Sequence, residues 1–280
     1  MLLKITAAVG AAAAALILFL TDLAQRGIDL LWIAPLLLLG CFAAANVLYA
    51  ILIFAGTELT IDLKKPNDKP SKFWSWTLEA LSEWLCTWGR VKVECTGFEK
   101  LPEGRFLMVC NHRSYFDPIV KIPIFKEIGM TYVSKPANFK IPIGGKLMHA
   151  YGCLSLNRDN NREALVTIKR AADIISSDRA SVCIYPEGTR STKGELLPFH
   201  AGSFKSAQKA GVPVVAVTLY GTDTVQKNFP LHRTHVKVDV TAVVDGDYVK
   251  SHKTQEIADM TQKIIQDKYN EFAKRSETDA

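Results

Sequence analysis

A polar cluster directly after the apolar run 106–110 holds the residues best suited to acid–base chemistry. It reads Asn111-His112-Arg113-Ser114-Tyr115-Phe116-Asp117-Pro118. An Asp before a Pro is a typical helix start, so we predict that Asp117 is the N-cap of a helix and faces back toward His112. A carboxylate bound to one imidazole nitrogen fixes the tautomer and leaves the other nitrogen as a general base for a hydroxyl.

The cluster contains no evident nucleophile. Ser114 is the nearby candidate, but the Gly-x-Ser-x-Gly elbow that exposes a nucleophilic serine is missing. The hydroxyl activated by His112 would then belong to the substrate. A polar loop with a capping Asp117 and a histidine without a chemical role fits the same spacing, which does not separate the two interpretations.

A second cluster follows the apolar run 182–185. It reads Tyr185-Pro186-Glu187-Gly188-Thr189-Arg190. Gly188 permits a tight turn with exposed backbone N–H groups, while Arg190 and Lys193 offer contacts to phosphate. Lys135 and Arg158 add positive charge between the two clusters. Together they predict a site for a phosphorylated ligand, with an ordinary strand-to-helix turn among solvated lysines as the alternative.

The elements that must position these residues are short apolar runs alternating with helical patterns. The runs of strand type are residues 106–110, 131–133, 153–156, 182–185, 214–219 and 235–243. Apolar stripes at helical spacing mark residues 165–175, about 200–210 and 257–272. This alternation predicts an α/β domain at 91–280, with a mostly parallel or mixed sheet flanked by helices and ligand contacts at strand ends.

Residues 1–60 are predicted to form a hydrophobic membrane anchor of two helices. Their charged residues are Lys4, Asp22, Arg26, Asp29 and Glu58. Of the apolar stretches 5–20 and 30–55, the second is long enough to cross a bilayer. A cleavable signal peptide is the alternative for the first stretch. A hairpin within one leaflet is the alternative to two spans.

Residues 61–90 are predicted to be a basic linker followed by an interfacial helix. Four lysines follow the second apolar stretch, namely Lys64, Lys65, Lys69 and Lys72, whereas Arg26 is the basic residue between the two stretches. The positive-inside rule therefore places the catalytic domain on the cytoplasmic face. Trp74, Trp76, Trp84 and Trp88 favour a helix lying on the membrane, with a helix packed on the domain as the alternative.

Charge and cysteine usage narrow the classes of partner. The residues after position 60 hold 32 of the 34 basic and 25 of the 28 acidic residues, a surplus that suits membrane lipids and phosphate ligands. No nucleic-acid-binding motif occurs, so we expect no nucleic acid partner. The six cysteines form no CxxC pair and no zinc spacing with histidine, so we expect reduced thiols and no metal.

Four segments, taken in order, resemble the motifs of the glycerolipid acyltransferase family, which includes the 1-acylglycerol-3-phosphate acyltransferases. They are NHRSYFD, GCLSLNR, YPEGTRS with GELLPFHAG, and AGVPVVAVTL, between about residues 90 and 222. The resemblance implies transfer of a fatty acyl group from acyl-CoA or acyl carrier protein to the free hydroxyl of a lysophospholipid, commonly making phosphatidic acid. It implies no metal, no further cofactor and no covalent intermediate.

The resemblance also implies roles for individual residues. By position, His112 matches the general base and Asp117 the acid that orients it. The residues that match the substrate-binding motifs are Lys135, Arg158, Glu187, Gly188, Thr189 and Arg190. Within this set, Arg190 is placed near the phosphate of the acceptor.

The chain departs from the family pattern at five positions around the acceptor and donor, namely Ala137, Ser155, Asn157, His200 and Ala216. The catalytic pair is intact. The resemblance therefore specifies the reaction and leaves the lysolipid headgroup, the acyl-chain length and the donor open. The alternatives are an acyltransferase for a different lysophospholipid, a hydrolase that releases fatty acid, and a non-catalytic membrane lipid-binding protein.

Overall fold

The computed structural model describes residues 2–20, 30–67, 70–192 and 195–278 of the 280-residue chain, so Arg26, Lys69 and Lys193 lie outside the described residues. The helices are α1 (Leu2–Leu20), α2 (Leu30–Thr60), α3 (Lys72–Trp88), α4 (Phe116–Ile124), α5 (Gly144–Ala150), α6 (Asn161–Ser176), α7 (Lys205–Ala210), α8 (Thr222–Asn228), α9 (Gly246–Ser251) and α10 (Thr254–Thr278). The strands are β1 (Val91–Thr96), β2 (Leu107–Cys110), β3 (Met130–Ser134), β4 (Leu154–Ser155), β5 (Ser181–Ile184), β6 (Val214–Tyr220) and β7 (Thr234–Val244).

The strands form one mixed sheet in the order β1-β7-β6-β2-β5-β3-β4. All neighbouring pairs are parallel except β6 and β7, which are antiparallel. The predicted α/β fold with a mostly parallel or mixed sheet is confirmed, and each strand predicted from the sequence is present to within one residue at either end. The sequence pattern did not single out β1, α5 or α8.

The sheet is covered on both faces, as expected for parallel strands joined by helices. Leu107, Val109 and Ile184 point to the face that packs on α6, α7 and α10. The alternate residues Met108 and Cys183 point to the opposite face, beneath α3 and α4. Because both faces are closed, polar side chains of the central strands reach solvent only at the strand ends.

The strand order brings both polar clusters to one edge of the sheet. In the parallel pair β2 and β5, Leu107 is opposite Val182 and Val109 is opposite Ile184. The carboxyl ends of β2 and β5 are therefore adjacent, with β3 beside β5 and β4 beside β3. The four loops that follow these strands meet at this edge.

Helix α4 begins earlier than the Asp-Pro pattern predicts. Its N-cap is Tyr115, without a side-chain cap, and Asp117 already lies in the first turn. The Ser114 hydroxyl oxygen accepts the Phe116 N–H at 3.1 Å, which starts the helical turn upstream of Asp117. The prediction that Asp117 is the N-cap is therefore wrong, although its side chain does face back toward the preceding loop.

Two apolar helices precede the domain and pack on each other. Gly10 of α1 lies so close to α2 that an added Cβ would be 2.9 Å from the Cα of Phe42. The span Trp32–Thr60 is long and apolar enough to cross a membrane, whereas Lys4–Phe19 is shorter. The exposed apolar surface of α2, which includes Trp32 at 80%, indicates membrane association.

The tryptophan-rich helix α3 connects the end of α2 to the domain. Its residues Leu78 and Ala80 are buried, and Leu78 belongs to the core beneath α4. The Trp74 Nε1–H donates to the Thr60 hydroxyl at 3.2 Å. Phe73 remains 62% exposed, so α3 has one face on the domain and another free, and an interfacial position for the free face stays a prediction.

Candidate active site

His112 and Asp117 form a directly hydrogen-bonded pair in the loop that joins β2 to α4. The distance between His112 Nδ1 and Asp117 Oδ2 is 2.7 Å. The same carboxylate oxygen accepts the backbone N–H groups of Arg113 at 2.7 Å and Ser114 at 2.9 Å. Three donors hold the fully buried carboxylate in one orientation. Because a carboxylate accepts the Nδ1 proton, Nε2 is the nitrogen left to act as a base.

Glu187 fixes the backbone of the same loop from the neighbouring strand end. Its buried carboxylate accepts the His112 N–H through Oε1 at 2.6 Å and the Leu197 N–H through Oε2 at 2.8 Å. The backbone N–H of Ser191 donates to the His112 carbonyl at 2.9 Å. Burial raises the pKa of Glu187, although the backbone donors oppose this shift. Glu187 therefore connects the loop after β5 to His112 and lies behind the cavity described next.

The aromatic ring of Tyr185 packs against the side chain of His112. Its ring is stacked on the His112 imidazole, with 4.2 Å between centroids and 26° between planes. Tyr185 is the residue immediately after β5, so the parallel register that aligns β2 and β5 also brings these two rings together. The sequence did not predict this contact. The feature that could have indicated it is an aromatic residue, Tyr185, at the end of a strand and next to a proline.

A cavity of about 310 Å³ opens beside His112 at the carboxyl edge of the sheet. Its charged lining residues are Lys135, Arg158 and Arg190, and none of the described lining residues is an Asp or Glu. Gly188, Thr189, Ser134 and Asn138 add polar or backbone surface. Such a cationic cavity suits an anionic group of the size of a phosphate ester.

Each cation reaches the cavity from a different strand end. Lys135 follows β3, Arg158 follows β4 by three residues, and Arg190 lies in the loop after β5. The Arg158 guanidinium donates to the Tyr185 carbonyl at 3.2 Å, and burial lowers its pKa. The Arg190 guanidinium carbon lies 3.5 Å from the centre of the Tyr115 ring, a stacked arrangement that leaves its N–H edge available.

Gly188 suits both the positive φ of this turn and the close approach of Arg158. Its φ is +76°, and an added Cβ would lie 1.2 Å from Nη1 of Arg158. Any larger residue would both strain the turn and displace the guanidinium from the cavity wall.

The structure brings together most of the residues singled out in the sequence. Six line the cavity: His112, Lys135, Arg158, Gly188, Thr189 and Arg190. Asp117 and Glu187 lie behind the histidine and contact its ring and its backbone, respectively. Within the described residues, no group of three His, Cys, Asp or Glu side chains is arranged to hold a metal ion.

Comparison with known proteins gives the class to which this fold and site belong. A family described as acyltransferase matches residues 92–220, which include both polar clusters. A 1-acyl-sn-glycerol-3-phosphate acyltransferase of Escherichia coli is 30% identical over 187 residues, covering 66% of this chain and 75% of that protein. The chloroplastic enzyme BAT2 of Brassica napus, with the same activity in its name, is 38% identical over 135 residues, which span 47% of this chain and only 38% of that protein.

The fold has a counterpart among solved structures. The 1-acyl-sn-glycerophosphate acyltransferase of Thermotoga maritima superposes with a TM-score of 0.60 at 22% identity, covering 81% of this chain and 89% of that chain. The superposition covers 81% of this chain, whereas the sequence alignment with the Escherichia coli enzyme covers 66%. The chain belongs to the acyltransferase family that contains the 1-acyl-sn-glycerol-3-phosphate acyltransferases, which confirms the resemblance inferred from its motifs.

Proposed function

We propose that the protein transfers a fatty acyl group from a thioester donor to the free hydroxyl of 1-acylglycerol-3-phosphate and so makes phosphatidic acid. The observation that carries this proposal is the hydrogen-bonded His112–Asp117 pair at the wall of a cavity whose charged lining residues are all cations. A general base and an anion site in one cavity are what a hydroxyl acceptor with a phosphate requires. The relatives that carry this activity in their names support the same assignment.

In the proposed reaction, His112 is the general base. Its Nε2 takes the proton of the acceptor hydroxyl while the hydroxyl oxygen attacks the thioester carbonyl, giving a tetrahedral intermediate. Collapse of this intermediate forms the new ester and expels the donor thiolate, which receives the proton back from His112. Asp117 stabilises the transient imidazolium through its 2.7 Å contact with Nδ1. General-base assistance of this kind contributes about 10²- to 10⁴-fold in rate.

The three cations of the cavity are proposed to bind the acceptor phosphate. Arg190 offers the edge of a guanidinium already oriented by Tyr115, while Arg158 is held by the Tyr185 carbonyl. A guanidinium matches phosphate with two parallel hydrogen bonds, and Lys135 adds a point charge. Thr189 and the backbone at Gly188 complete the polar wall of the cavity.

Replacing Arg190 by glutamine is expected to raise the KM for lysophosphatidate by about 10- to 100-fold, because it removes a charged hydrogen-bond donor from the phosphate. The kcat should change less, since His112 and Asp117 keep their contacts. Steady-state kinetics over a range of acceptor concentrations measure both constants. Lys140→Gln removes an exposed positive charge outside the cavity and serves as the matched control. An equal KM in the two variants would contradict the phosphate role of Arg190.

The function itself is tested with detergent-purified protein, acyl-CoA or acylated carrier protein, and a panel of lysophospholipids. Release of free thiol and formation of lipid products, identified by mass spectrometry, are followed together. Phosphatidic acid formed chiefly from lysophosphatidate supports the proposal, and the faster donor identifies the acyl carrier. Acylation of another lysolipid would move the acceptor assignment, free fatty acid would indicate a hydrolase, and no product with any pair would indicate a lipid-binding protein.

We also propose that residues 1–60 anchor the protein, that residues 61–90 connect the anchor, and that the catalytic domain at 91–280 lies on the cytoplasmic face. Lys64, Lys65 and Lys72 immediately after α2 support this orientation through the positive-inside rule. The Lys146 ammonium lies 2.7 Å from the Glu58 carboxylate and connects α5 of the domain to the end of α2.

Cys95 gives a direct test of this orientation. Among the six cysteines, all within the described residues, Cys95 alone is exposed, and it lies on β1 of the domain. A membrane-impermeant maleimide is expected to label the protein in inverted membrane vesicles and to leave it largely unlabelled in sealed right-side-out vesicles. Cys95→Ser is the control for labelling of other thiols. Equal labelling of intact right-side-out vesicles would overturn the cytoplasmic assignment.

A further inference from the structure

Lys121 is a fully buried cation directly beneath the candidate active site. It lies on α4, four residues after Asp117, so both side chains are on the same face of the helix. Its Nζ is 2.9 Å from the Sγ atoms of Cys110 and Cys183, which belong to the adjacent strands β2 and β5. Its relative exposure is 0%, as is that of both cysteines. The reaction proposed above uses none of these three residues.

A buried ammonium group requires a compensating negative charge or must lose its proton. The described groups around Nζ are two thiols and the aromatic rings of Tyr185 and Tyr132, and no carboxylate is among its contacts. An ordinary thiol is more acidic than an ordinary lysine ammonium, and two sulfur atoms at 2.9 Å favour the charged lysine against the neutral pair that burial alone would favour. The second thiol can then donate a hydrogen bond to the first, which distributes the negative charge.

We propose that Lys121 and the neighbouring thiols of Cys110 and Cys183 form a buried ammonium–thiolate ion pair, and that Lys121 is a positioning residue that holds the Tyr185 ring against His112. The ammonium lies 4.3 Å from the centre of the Tyr185 ring, whose stacking partner is the imidazole at 4.2 Å. A desolvated cation beside an aromatic face is attracted to it. The three groups therefore form one stack from the core to the wall of the cavity.

The electrostatic environment agrees with this distribution of charge. Burial opposes ionisation of Cys183, but the hydrogen bond with Cys110 and the charge and hydrogen bond of Lys121 prevail and lower the pKa of this thiol to about 6. Burial, together with its contact to Cys183, raises the pKa of Cys110 well above the ordinary thiol range. Burial also opposes the charge on Lys121, yet the adjacent sulfur atoms raise the pKa of this ammonium.

The groups that face this cluster come from every element packed around it. The strands β2, β3 and β5 contribute Cys110, Tyr132 and Cys183, and Tyr185 directly follows β5. Tyr151 and Cys153 follow α5, and Asp117 lies on α4 itself. Burial raises the pKa of Cys153 to about 12 and, on α3, that of Cys86 to about 11. These two thiols are therefore protonated at neutral pH and do not mask a Cys183 thiolate.

The ion pair is tested by the ultraviolet absorbance of thiolate anions in the full-length protein. At neutral pH, we expect one thiolate equivalent in the wild type, in Cys110→Ser and in the control Lys126→Met, which removes an exposed lysine just beyond the same helix. The signal should be lost in Lys121→Met and in a variant that carries both Cys110→Ser and Cys183→Ser. Equal absorbance in the wild type and in the variant with both serines would overturn the assignment.

A titration of the wild type keeps this test independent of whether Lys121→Met folds. The thiolate signal should persist at neutral pH and disappear on acidification, because the hydrogen bond with Cys110 and the charge of Lys121 hold the pKa of Cys183 below that of an ordinary thiol. A signal that appears only well above neutral pH would show a neutral cluster and overturn the proposal.

The positioning role rests on the proposed catalytic function of His112 and is tested by kinetics. In Lys121→Met we expect kcat to fall by about ten-fold, because a small displacement of the base costs rate. The KM for lysophosphatidate should stay unchanged, since the cavity cations are untouched. A kcat equal to that of Lys126→Met would overturn the positioning role. An inactive wild type that nevertheless shows the thiolate would contradict the proposed function and leave the ion pair established.

Discussion

His112→Ala is expected to lower kcat by about 10²- to 10⁴-fold with either acyl donor, the contribution that a positioned general base makes. The acceptor hydroxyl would then have to lose its proton to water as it attacks the thioester. The KM for lysophosphatidate should change little, because Arg158 and Arg190 remain in the cavity wall. Initial rates of thiol release in the purified variant measure kcat, and mass spectrometry identifies the lipid product.

Loss of folding must be separated from loss of the base. The His112 ring is partly exposed, and its backbone contacts to Glu187 and Ser191 do not involve the imidazole, so the alanine variant should keep its fold. His235→Ala, at an exposed position of β7, is the matched control and should retain full activity. Turnover of His112→Ala at the wild-type rate, with a normal thermal unfolding transition, would exclude the proposed mechanism.

Asp117→Asn is expected to lower kcat by about 10³- to 10⁴-fold. The same replacement of the aspartate in a Ser-His-Asp triad has an effect of about this size. The carboxylate oxygen that contacts His112 also accepts two backbone N–H groups. An asparagine oxygen in this place would keep those bonds but lose the negative charge that stabilises the imidazolium. Initial rates of thiol release at saturating acceptor measure kcat in this variant.

Asp239→Asn is the matched control for Asp117→Asn, because it also replaces a buried carboxylate by an amide. Like Asp117 it is a buried carboxylate, and in both residues Oδ1 is buried without a hydrogen-bond partner among the described residues. Asp239 accepts a hydrogen bond from Thr96 of β1 and does not contact a histidine. Asp239→Asn should therefore retain kcat whatever it does to stability. Equal losses of kcat in the two variants would show that Asp117 acts through the fold and not through His112.

Several features of the fold could be predicted from the sequence because they depend on local patterns of residues. Runs of β-branched and apolar residues predicted β2, β3, β5 and β6, since a strand buried on both faces has to be apolar along its length. Strict alternation of apolar and polar residues predicted β7 as a half-buried strand. The motif order identified the family, and the apolar length of α2 indicated a membrane helix. The start of α4 was misplaced because the Ser114 hydroxyl competes with Asp117 for the role of initiating the helix.

Only part of the candidate site could be predicted from the sequence. His112 and Asp117 are five residues apart, so their contact needed only a turn between a strand and a helix. The sequence grouped Glu187 with the substrate-binding residues, and the structure places its carboxylate on the backbone of His112, behind the cavity. That contact joins residues 75 positions apart and follows from the pairing of β2 with β5, which no local pattern encodes.

The sequence by itself determined the fold class, the family, the apolar N-terminal segment and the proximity of His112 to Asp117, because each depends on neighbouring residues or on a short motif. Only the tertiary structure decided that Lys135, Arg158 and Arg190 share one cavity, that Tyr185 stacks on His112, and that Lys121 lies between two thiols. These contacts depend on strand order and register, which bring together segments that are distant in the chain. Their physical basis is the burial of both faces of the sheet, which leaves the carboxyl edge as the place where polar groups from four strands meet.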